Sequence, residues 1–401
     1  MKRLTLKSFR LKNFKAVKDS GVVRFTPLTV LIGNNGSGKS SLIEGLDTFQ
    51  SIIEEDLAFA MEFWRGYESV WHRGVSHGLH GLQPEKDLRA CYSNPMSFEL
   101  RGEYLKREYK ARMQVALGLE DDVFIADEEI RIGKDFELLR DSRGQVRFKG
   151  AVPSPMGAIK VQSAFSPQAL TIADGDSVIG NNFHDLFKDW QFVSLNAHAQ
   201  FIGQPNKQQR SLDSVYLSED GENIAEYLLS IKKLSQEAFD GIVEAVQHVL
   251  PYARELQPTL VTELERSVYL QMAEGKFKVP GWMLSTGTLR LLAFLALLRH
   301  PHPPSLIIIE EIENGLDPRT INLLIEEIRV AVENGGTQVI CTTHSPYLLD
   351  LLKLSEIILV ERIDGEPTFM RPGDRKSLEK WSEKFSVGRL YTMGLLERKG
   401  A

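Results

Sequence analysis

Only two cysteines, Cys91 and Cys341, occur in the 401 residues, far apart and without metal-ligand spacing. Neither a disulfide framework nor a cysteine zinc site is expected, and both thiols are expected to be packing residues. Long apolar runs are missing too. The longest, Leu291 to Leu298, is too short to cross a bilayer and stops at Arg299-His300-Pro301. The N-terminus is basic but alternates apolar and polar residues and carries no signal-peptide core or cleavage site, so a cytoplasmic protein without a membrane partner is expected. Nor is there a basic excess: the net charge is −6, which does not point to nucleic acid for the chain as a whole. Locally, Lys2, Arg3, Lys7, Arg10, Lys12, Lys15, Lys18 and Arg24 stand against Asp19 alone. That set reads either as the solvated face of a strand or as a phosphate or DNA contact.

What is present describes a globular chain, 42% hydrophobic and 25% charged, long enough for two or three domains or for one α/β domain with a large insertion. Its most informative stretch is Pro27 to Leu42, PLTVLIGNNGSGKSSL. An apolar run, Leu28 to Ile32, gives way to Gly33-Asn34-Asn35-Gly36-Ser37-Gly38-Lys39-Ser40-Ser41, and the chain then turns amphipathic at Leu42, Ile43 and Leu46. Strand, glycine-rich loop and helix in that order make a phosphate cradle: backbone N–H groups of residues 34–41 close around phosphate oxygens at the positive end of the helix. Lys39 is expected to reach the β and γ phosphates and Ser40 to hold Mg²⁺. The helix is expected to run on to about Trp64.

Before the loop, Leu4 to Phe14 alternates as a strand with a bulge near Ser8, and Val22 to Phe25 reads as a second, short strand. After it, residues 66–84 are loop-like; His72, His77 and His80 there lack companions at metal-ligand spacing. Alternating segments between Met96 and Lys149, with a hairpin tip at Asp141-Ser142-Arg143-Gly144, predict an antiparallel lobe, and residues 150–185 a surface connection. Helical periodicity follows from Glu222 to Leu234 and from Ala238 to Leu250, then strands at Thr259 to Gln271 and Lys276 to Val279.

The last third carries the remaining chemistry. Leu284-Ser285-Thr286-Gly287-Thr288 opens an apolar helix, with Ser285 a plausible N-cap. Leu306 to Ile309 is an apolar strand of the buried parallel type and ends in Glu310 and Glu311. Charges there lie at the carboxyl edge of a sheet, where α/β ligands bind. A helix at about Pro318 to Asn334 leads to a second buried strand, Gln338 to Thr342, which delivers Thr343 and His344; Ser345-Pro346 fits an N-cap and first-turn proline.

Taken together, the segments resemble ABC-class ATPase heads of the RecF and SMC type, and most closely stand-alone AAA-family ATPases related to the OLD-family ATPase domain. The likeness rests on Asn13-Phe14-Lys15, on the loop Gly33 to Ser40, on Leu284 to Thr288 as signature, on Leu306 to Asp317 as Walker B and D-loop, and on Thr343-His344-Ser345 as H-loop. The resemblance implies an α/β P-loop NTPase fold, an ABC-ATPase head with a mixed or parallel core sheet, an antiparallel β lobe and a helical insertion. The corresponding segments are 1–65 (N-terminal lobe), 66–190 (antiparallel lobe and loops), 191–280 (helical and strand insertion) and 281–401 (C-terminal lobe). It implies ATP and Mg²⁺ as cofactors. Glu310 then occupies the Walker B acid position and Glu311 that of the glutamate that polarises the attacking water. His344 contacts the γ-phosphate, Lys15 approaches the nucleotide, and Asp317 lies at the seam of a dimer. Ser285 and Gly287 cap the ATP of a second subunit, so an ATP-linked homodimer or higher homo-oligomer is implied.

The chain departs from the family pattern with Glu310 in place of Asp and LSTGT in place of an LSGGQ-like signature, and Gln50, Gln162 and Gln191 compete for the Q-loop. No long heptad stretch is present, which excludes a coiled-coil arm. The implied function is an ATP-driven switch that signals to a separately encoded effector protein, with DNA as another partner, in phage defence or DNA repair. The alternatives are an OLD-type nuclease and a transporter ATPase subunit. Asp364-Gly365-Glu366 reads as a hairpin turn rather than a nuclease acid cluster, and Lys376 to Leu396 as an amphipathic helix docked on the core.

Overall fold

The computed structural model describes residues 4–75, 79–80, 91–92, 94–134, 136–141, 146–152, 159–160, 187–195, 204–207, 215–260, 267–375, 378, 381 and 384–396. The chain forms two units: Met1–Thr26, Ile32–Trp190 and Ile358–Arg371 make the first, and Pro27–Leu31, Gln191–Ile357 and Pro372–Ala401 the second.

In the first unit the alternating pattern produces β1 (Thr5–Phe14), with Leu6, Phe9, Leu11 and Phe14 buried and a register shift between Leu6 and Ser8 at the expected bulge. A strand not anticipated from the sequence, β2 (Val17–Asp19), folds back on β1, with Phe14 opposite Val17. Its turn holds Lys15 at φ 47, an unusual conformation for lysine, so no glycine signals it. Strand β3 (Val23–Arg24) also pairs with β1; β4 (Leu28–Ile32), buried at every position and up to Leu31 part of the second unit, precedes the glycine-rich loop in the chain.

The helix expected over residues 39–64 is broken. Helix α1 spans Lys39–Glu54 and α2 Leu57–Phe63. Between them Asp56 takes an extended conformation and its carboxylate accepts the Phe59 N–H, so a capping side chain competes successfully with helix continuation. A short α3 (Tyr67–Val70) and the paired strands β5 (Leu79–His80) and β6 (Cys91–Tyr92) follow.

Strands β7 (Met96–Tyr104), β8 (Arg107–Leu117), β9 (Val123–Ile132), β10 (Phe136–Arg140) and β11 (Val146–Val152) are the expected antiparallel set, and a short β12 (Ile159–Lys160), inside the stretch read as a surface connection, pairs with β11. They do not stand apart from the N-terminal segment: β7 pairs along β1 from Thr5 opposite Glu103 to Lys12 opposite Ser97. The sheet order is β12-β11-β10-β9-β8-β7-β1-β2, so the division expected at residue 65 does not interrupt the sheet. The tip at 142–144, the connection 161–186, Gln162, and the side chains of His77 and His80 lie outside the described residues.

Alternation also decides the fate of the basic N-terminal residues. Lys7 pairs with Glu103 at 3.0 Å, and Arg10 and Lys12 pair with Asp19 at 2.7 and 3.3 Å. Farther along the same sheet Lys110 meets Glu129 and Arg112 meets Asp127. Burial would raise the Asp19 carboxyl, but Arg10, the Gly21 N–H and Lys12 outweigh it and hold it at about 2. The Lys7, Arg10 and Lys12 pairs fit the solvated strand face of the two sequence readings, and each is worth at most about 1 kcal/mol.

In the second unit β13 (Trp190–Val193), β14 (Asn206–Lys207), α4 (Ile224–Leu234) and α5 (Gln236–Val249) precede β15 (Ala253–Leu260), β16 (Ser267–Glu274) and β17 (Phe277–Pro280). Strands β14, β16, β15 and β17 form one antiparallel sheet. Then come α6 (Thr286–Leu298), β18 (Leu306–Ile309), α7 (Pro318–Glu333), β19 (Gln338–Thr343) and α8 (Pro346–Asp350). Strands β18 and β19 run parallel, Ile307 opposite Val339, and β4 lies on the far side of β19. Every residue of α6 from Thr288 to Leu298 is buried, Arg290 included.

Strands β20 (Ile357–Ile363) and β21 (Glu366–Met370) make a hairpin of the first unit, turning at Asp364-Gly365 as expected, with φ 52 and 83. The amphipathic helix expected over 376–396 is interrupted among the described residues: Leu378 and Trp381 are helical, 384–386 are not, and α9 spans Val387–Thr392, entered through an extended Ser386. It docks on α8 with Leu390 fully buried, while Trp381 stacks on Phe385 and stays 45% exposed.

Candidate active site

In the first unit the loop 33–38 enters α1 through Gly38, whose φ of 109 is open to glycine and whose missing Cβ would lie 2.7 Å from Pro367 Cγ on β21. No side chain caps the α1 N-terminus and no acid occupies its first turn, so its N–H groups and the positive end of the helix dipole are directed at the loop. Lys39, buried at 7% exposure, donates from Nζ to the carbonyls of Gly33 (2.8 Å) and Asn34 (3.1 Å). The ammonium is thus held inside the loop. Ser37 Oγ is buried without a hydrogen-bond partner, a polar atom suited to an anion in the same cradle. Asn34, Asn35, Gly36 and Ser40 are exposed, Ser41 is buried.

One neighbour of the loop was not singled out in the sequence. Arg362 on β20 donates from Nε to the Gly36 carbonyl at 2.8 Å and from Nη1 to Gly365 at 3.0 Å, tying the hairpin to the loop. Lys15 Nζ lies 2.8 Å from Glu44 on α1 and 3.6 Å from the Trp64 ring centroid, while the Lys15 carbonyl meets His72 Nδ1. Its ammonium is therefore placed beside α1, one turn along from Lys39. Gln50 Nε2 donates to the carbonyls of Phe187 and Trp190, and Gln191 Nε2 to that of Leu217.

In the second unit the acids leave β18 in a left-handed turn. Glu311 has φ 46, its N–H donates to Thr342 Oγ1 at 2.8 Å, and its carbonyl accepts Arg290 Nη2 at 3.0 Å. Its carboxylate accepts a hydrogen bond from Asn314 Nδ2. A non-glycine residue held at positive φ by bonds at both ends of its peptide is the kind of strain found at reacting centres. Glu310 continues the strand with its N–H on the Val193 carbonyl. Glu313, which the sequence reading passed over, accepts the His344 N–H at 2.6 Å through Oε1, and so fixes the start of the His344 segment. Ser345 caps α8 through Leu348, as expected.

Ser285 caps α6 by accepting the Thr288 N–H at 3.1 Å, and Asp317 caps α7 through the N–H groups of Arg319 and Thr320 and the Thr320 hydroxyl. The Thr320 hydroxyl bond, outweighing burial, lowers the Asp317 carboxyl below its usual range. Gly287 packs against the Gly315 carbonyl so closely that any side chain would overlap it. Ser285, Gly287 and Asp317 therefore each have a local structural task in this chain. Arg290 is the other surprise. Its guanidinium sits in an otherwise apolar helix at 2% exposure, where burial lowers its pKa to about 10 against the pull of Glu313 and Glu311. It remains charged at neutral pH.

A strand-loop-helix that brings a helix N-terminus and a lysine to one cradle is nucleotide chemistry, and comparison with known proteins agrees. Residues 28–350 match the family model described as AAA domain, putative AbiEii toxin, Type IV TA system. The chain belongs to this AAA-domain family. A protein of Helicobacter pylori (strain ATCC 700392 / 26695) named ATP/GTP phosphatase is 21% identical over 86% of this chain and 87% of its own length. Among solved structures, an SMC head bound to the C-terminal winged-helix domain of ScpA aligns with a TM-score of 0.50 at 15% identity, over 91% of this chain and 96% of that one. A head domain with an extended coiled coil, bound to the C-terminal domain of ScpA derived from Pyrococcus furiosus, gives 0.54 at 13%, over 95% and 100%. At such identities the likeness is one of fold. This AAA-domain protein has the P-loop fold of an SMC-type ATPase head, binds nucleotide and hydrolyses ATP. No helix among its described residues is long and apolar enough to cross a membrane.

Proposed function

We propose that this AAA-domain ATPase is a nucleotide-operated switch in which Glu311 polarises the water that attacks ATP. The observation that carries the reading is the clamp on Glu311: a positive φ, an N–H fixed by Thr342 and a carbonyl fixed by Arg290. Phosphoryl transfer to water needs positioning and charge stabilisation more than covalent help, and a carboxylate pinned in this way supplies the positioning.

Lys39 and the N–H groups of residues 34–41 bind the phosphates; the orphaned Ser37 hydroxyl supports an anion there. Mg²⁺ favours oxygen donors and takes one or two protein groups beside phosphate. We assign the Ser40 hydroxyl and the Glu310 carboxylate to this ion, which would neutralise charge developing on the phosphates. His344 contacts the γ-phosphate, and Lys15 adds positive charge on the α1 side.

Ser285 and Gly287 of a second copy complete the site, with Asp317 at the seam, so that ATP closes a homodimer and hydrolysis opens it. The partner that reads this change is a separately encoded effector protein, in a defence or repair setting. DNA is the less favoured partner, because Lys7, Arg10 and Lys12 are neutralised by acids. No observation favours the nuclease or transporter alternatives.

The test is the solution mass of Glu311→Gln, by light scattering on a sizing column, with and without Mg·ATP. Doubling of the mass with ATP supports the switch. A mass that stays at one chain at saturating ATP contradicts it.

A further inference from the structure

Arginine inside a helix that is buried along its length is costly unless the charge is paired and hydrogen-bonded. Arg290 is so placed, one helical turn beyond Gly287 on α6. Its aliphatic stem runs beside Gly315, where a Cβ would meet Arg290 Cδ at 3.8 Å, and its guanidinium carbon stands 5.6 Å from the Phe294 ring centroid. The Nη2 atom reaches the carbonyl of Glu311, 3.0 Å away. The carboxylates of Glu313 and Glu311 supply its counter-charge. Glu313 in turn receives the His344 N–H. One guanidinium thus stands between the segment 285–287, the turn that presents Glu311, and the strap that begins at His344. An apolar residue would pack in this helix at lower cost, so the arginine is explained by what its head group holds.

We propose that Arg290 is a positioning residue for ATP hydrolysis: it fixes the Glu311 main chain from within the helix that carries Ser285 and Gly287, so that loading of that segment and the aim of the Glu311 carboxylate are set together. This rests on the reading of Glu311 as the water-polarising group. The carbonyl that Arg290 holds belongs to the residue with φ 46, the conformation that turns the side chain away from the line of β18. Without the guanidinium, that carbonyl keeps the Asn314 N–H at 3.0 Å but loses its tie to α6, and the turn is freer to relax toward an ordinary negative φ. Such relaxation moves a carboxylate by ångströms, and a misplacement of about 1 Å costs roughly a hundredfold in rate. Phosphate binding at the P-loop involves none of these atoms.

The prediction is a split between binding and turnover. Arg290→Lys keeps charge and stem but replaces the planar fork with a shorter ammonium; Arg290→Met keeps the stem without charge and serves where the lysine variant folds poorly. Each is compared with the parent for thermal unfolding, for affinity toward a non-hydrolysable ATP analogue by calorimetry, and for kcat and KM of ATP hydrolysis, and each is repeated in a Glu311→Gln background. The expected result is a kcat lowered roughly 10- to 100-fold with analogue affinity within about twofold, and no further loss when Glu311→Gln is already present. Three results overturn the assignment: unchanged kcat, affinity and kcat falling together, or a loss that recurs in full in the Glu311→Gln background, as a general lesion would give. The parent reading is judged separately, since Glu311→Gln alone must be slow; if it turns over normally, both ideas fall, whereas a slow Glu311→Gln with a normal Arg290→Lys removes only the role of Arg290.

Discussion

Gly287 meets Gly315 with no room for a Cβ between them: a side chain on the first would overlap the carbonyl oxygen of the second. The contact joins the start of α6 to the turn that follows Glu311, and it gives the signature glycine a reason within its own chain. Gly287→Ala is expected to lower stability by about 1–3 kcal/mol through overpacking, seen as a fall of a few degrees in the unfolding temperature. An unchanged unfolding temperature would mean the two segments separate freely.

Lys39 is held by two loop carbonyls, within the cradle that the α1 N-terminus forms. Replacing it removes charge-assisted hydrogen bonds to phosphate while leaving the apolar packing of α1 in place. Lys39→Ala should weaken ATP binding roughly 10- to 100-fold by calorimetry, with little change in unfolding temperature. Wild-type affinity in this variant would remove Lys39 from the phosphate site.

Glu54, at the end of α1, has its carboxyl pushed up to about 7 by burial, against the hydrogen bond from Gln50 and with help from Glu55 and Asp47. The folded chain therefore keeps a proton that the unfolded chain releases near pH 4.5. Its contribution to stability is full below that value and is lost as pH rises through about 7. Glu54→Gln retains the oxygen that accepts from Gln50 and abolishes the titration. Its unfolding temperature should fall less steeply than wild type between pH 4.5 and 7, and at pH 8 it should be the more stable protein, by an amount of the order of 2 kcal/mol. Parallel pH profiles for the two proteins would contradict the burial of a protonated Glu54.

Much of this architecture was legible because its signals are local. Alternation exposed β1 and β7 to β11, apolar runs exposed β4, β18 and β19, and capping residues marked the starts of α6 and α8. What escaped was set by contacts distant in sequence or by unusual backbone. The turn at Lys15 has no glycine, Asp56 had to be recognised as a cap inside a helical pattern, and the pairing of β7 with β1 links segments some 90 residues apart. Lys39, Ser40, Glu310, Glu311 and His344 announce themselves by motif. Arg290, Glu313, Asn314 and Arg362 do not, because their partners are main-chain groups or a neighbouring carboxylate that no spacing rule reveals. Only the charge of Arg290 inside the run Leu289 to Leu298 could have drawn notice.

The most direct measurement is single-turnover ATP hydrolysis by Glu311→Gln beside its affinity for ATP. The amide keeps the shape of the side chain and can still take a hydrogen bond from Asn314, yet it cannot draw a proton from water. ATP should bind as tightly as to the wild-type protein while hydrolysis slows by about a hundredfold or more. Hydrolysis at the wild-type rate with ATP fully bound would contradict the central claim and place the water-polarising group elsewhere in the site.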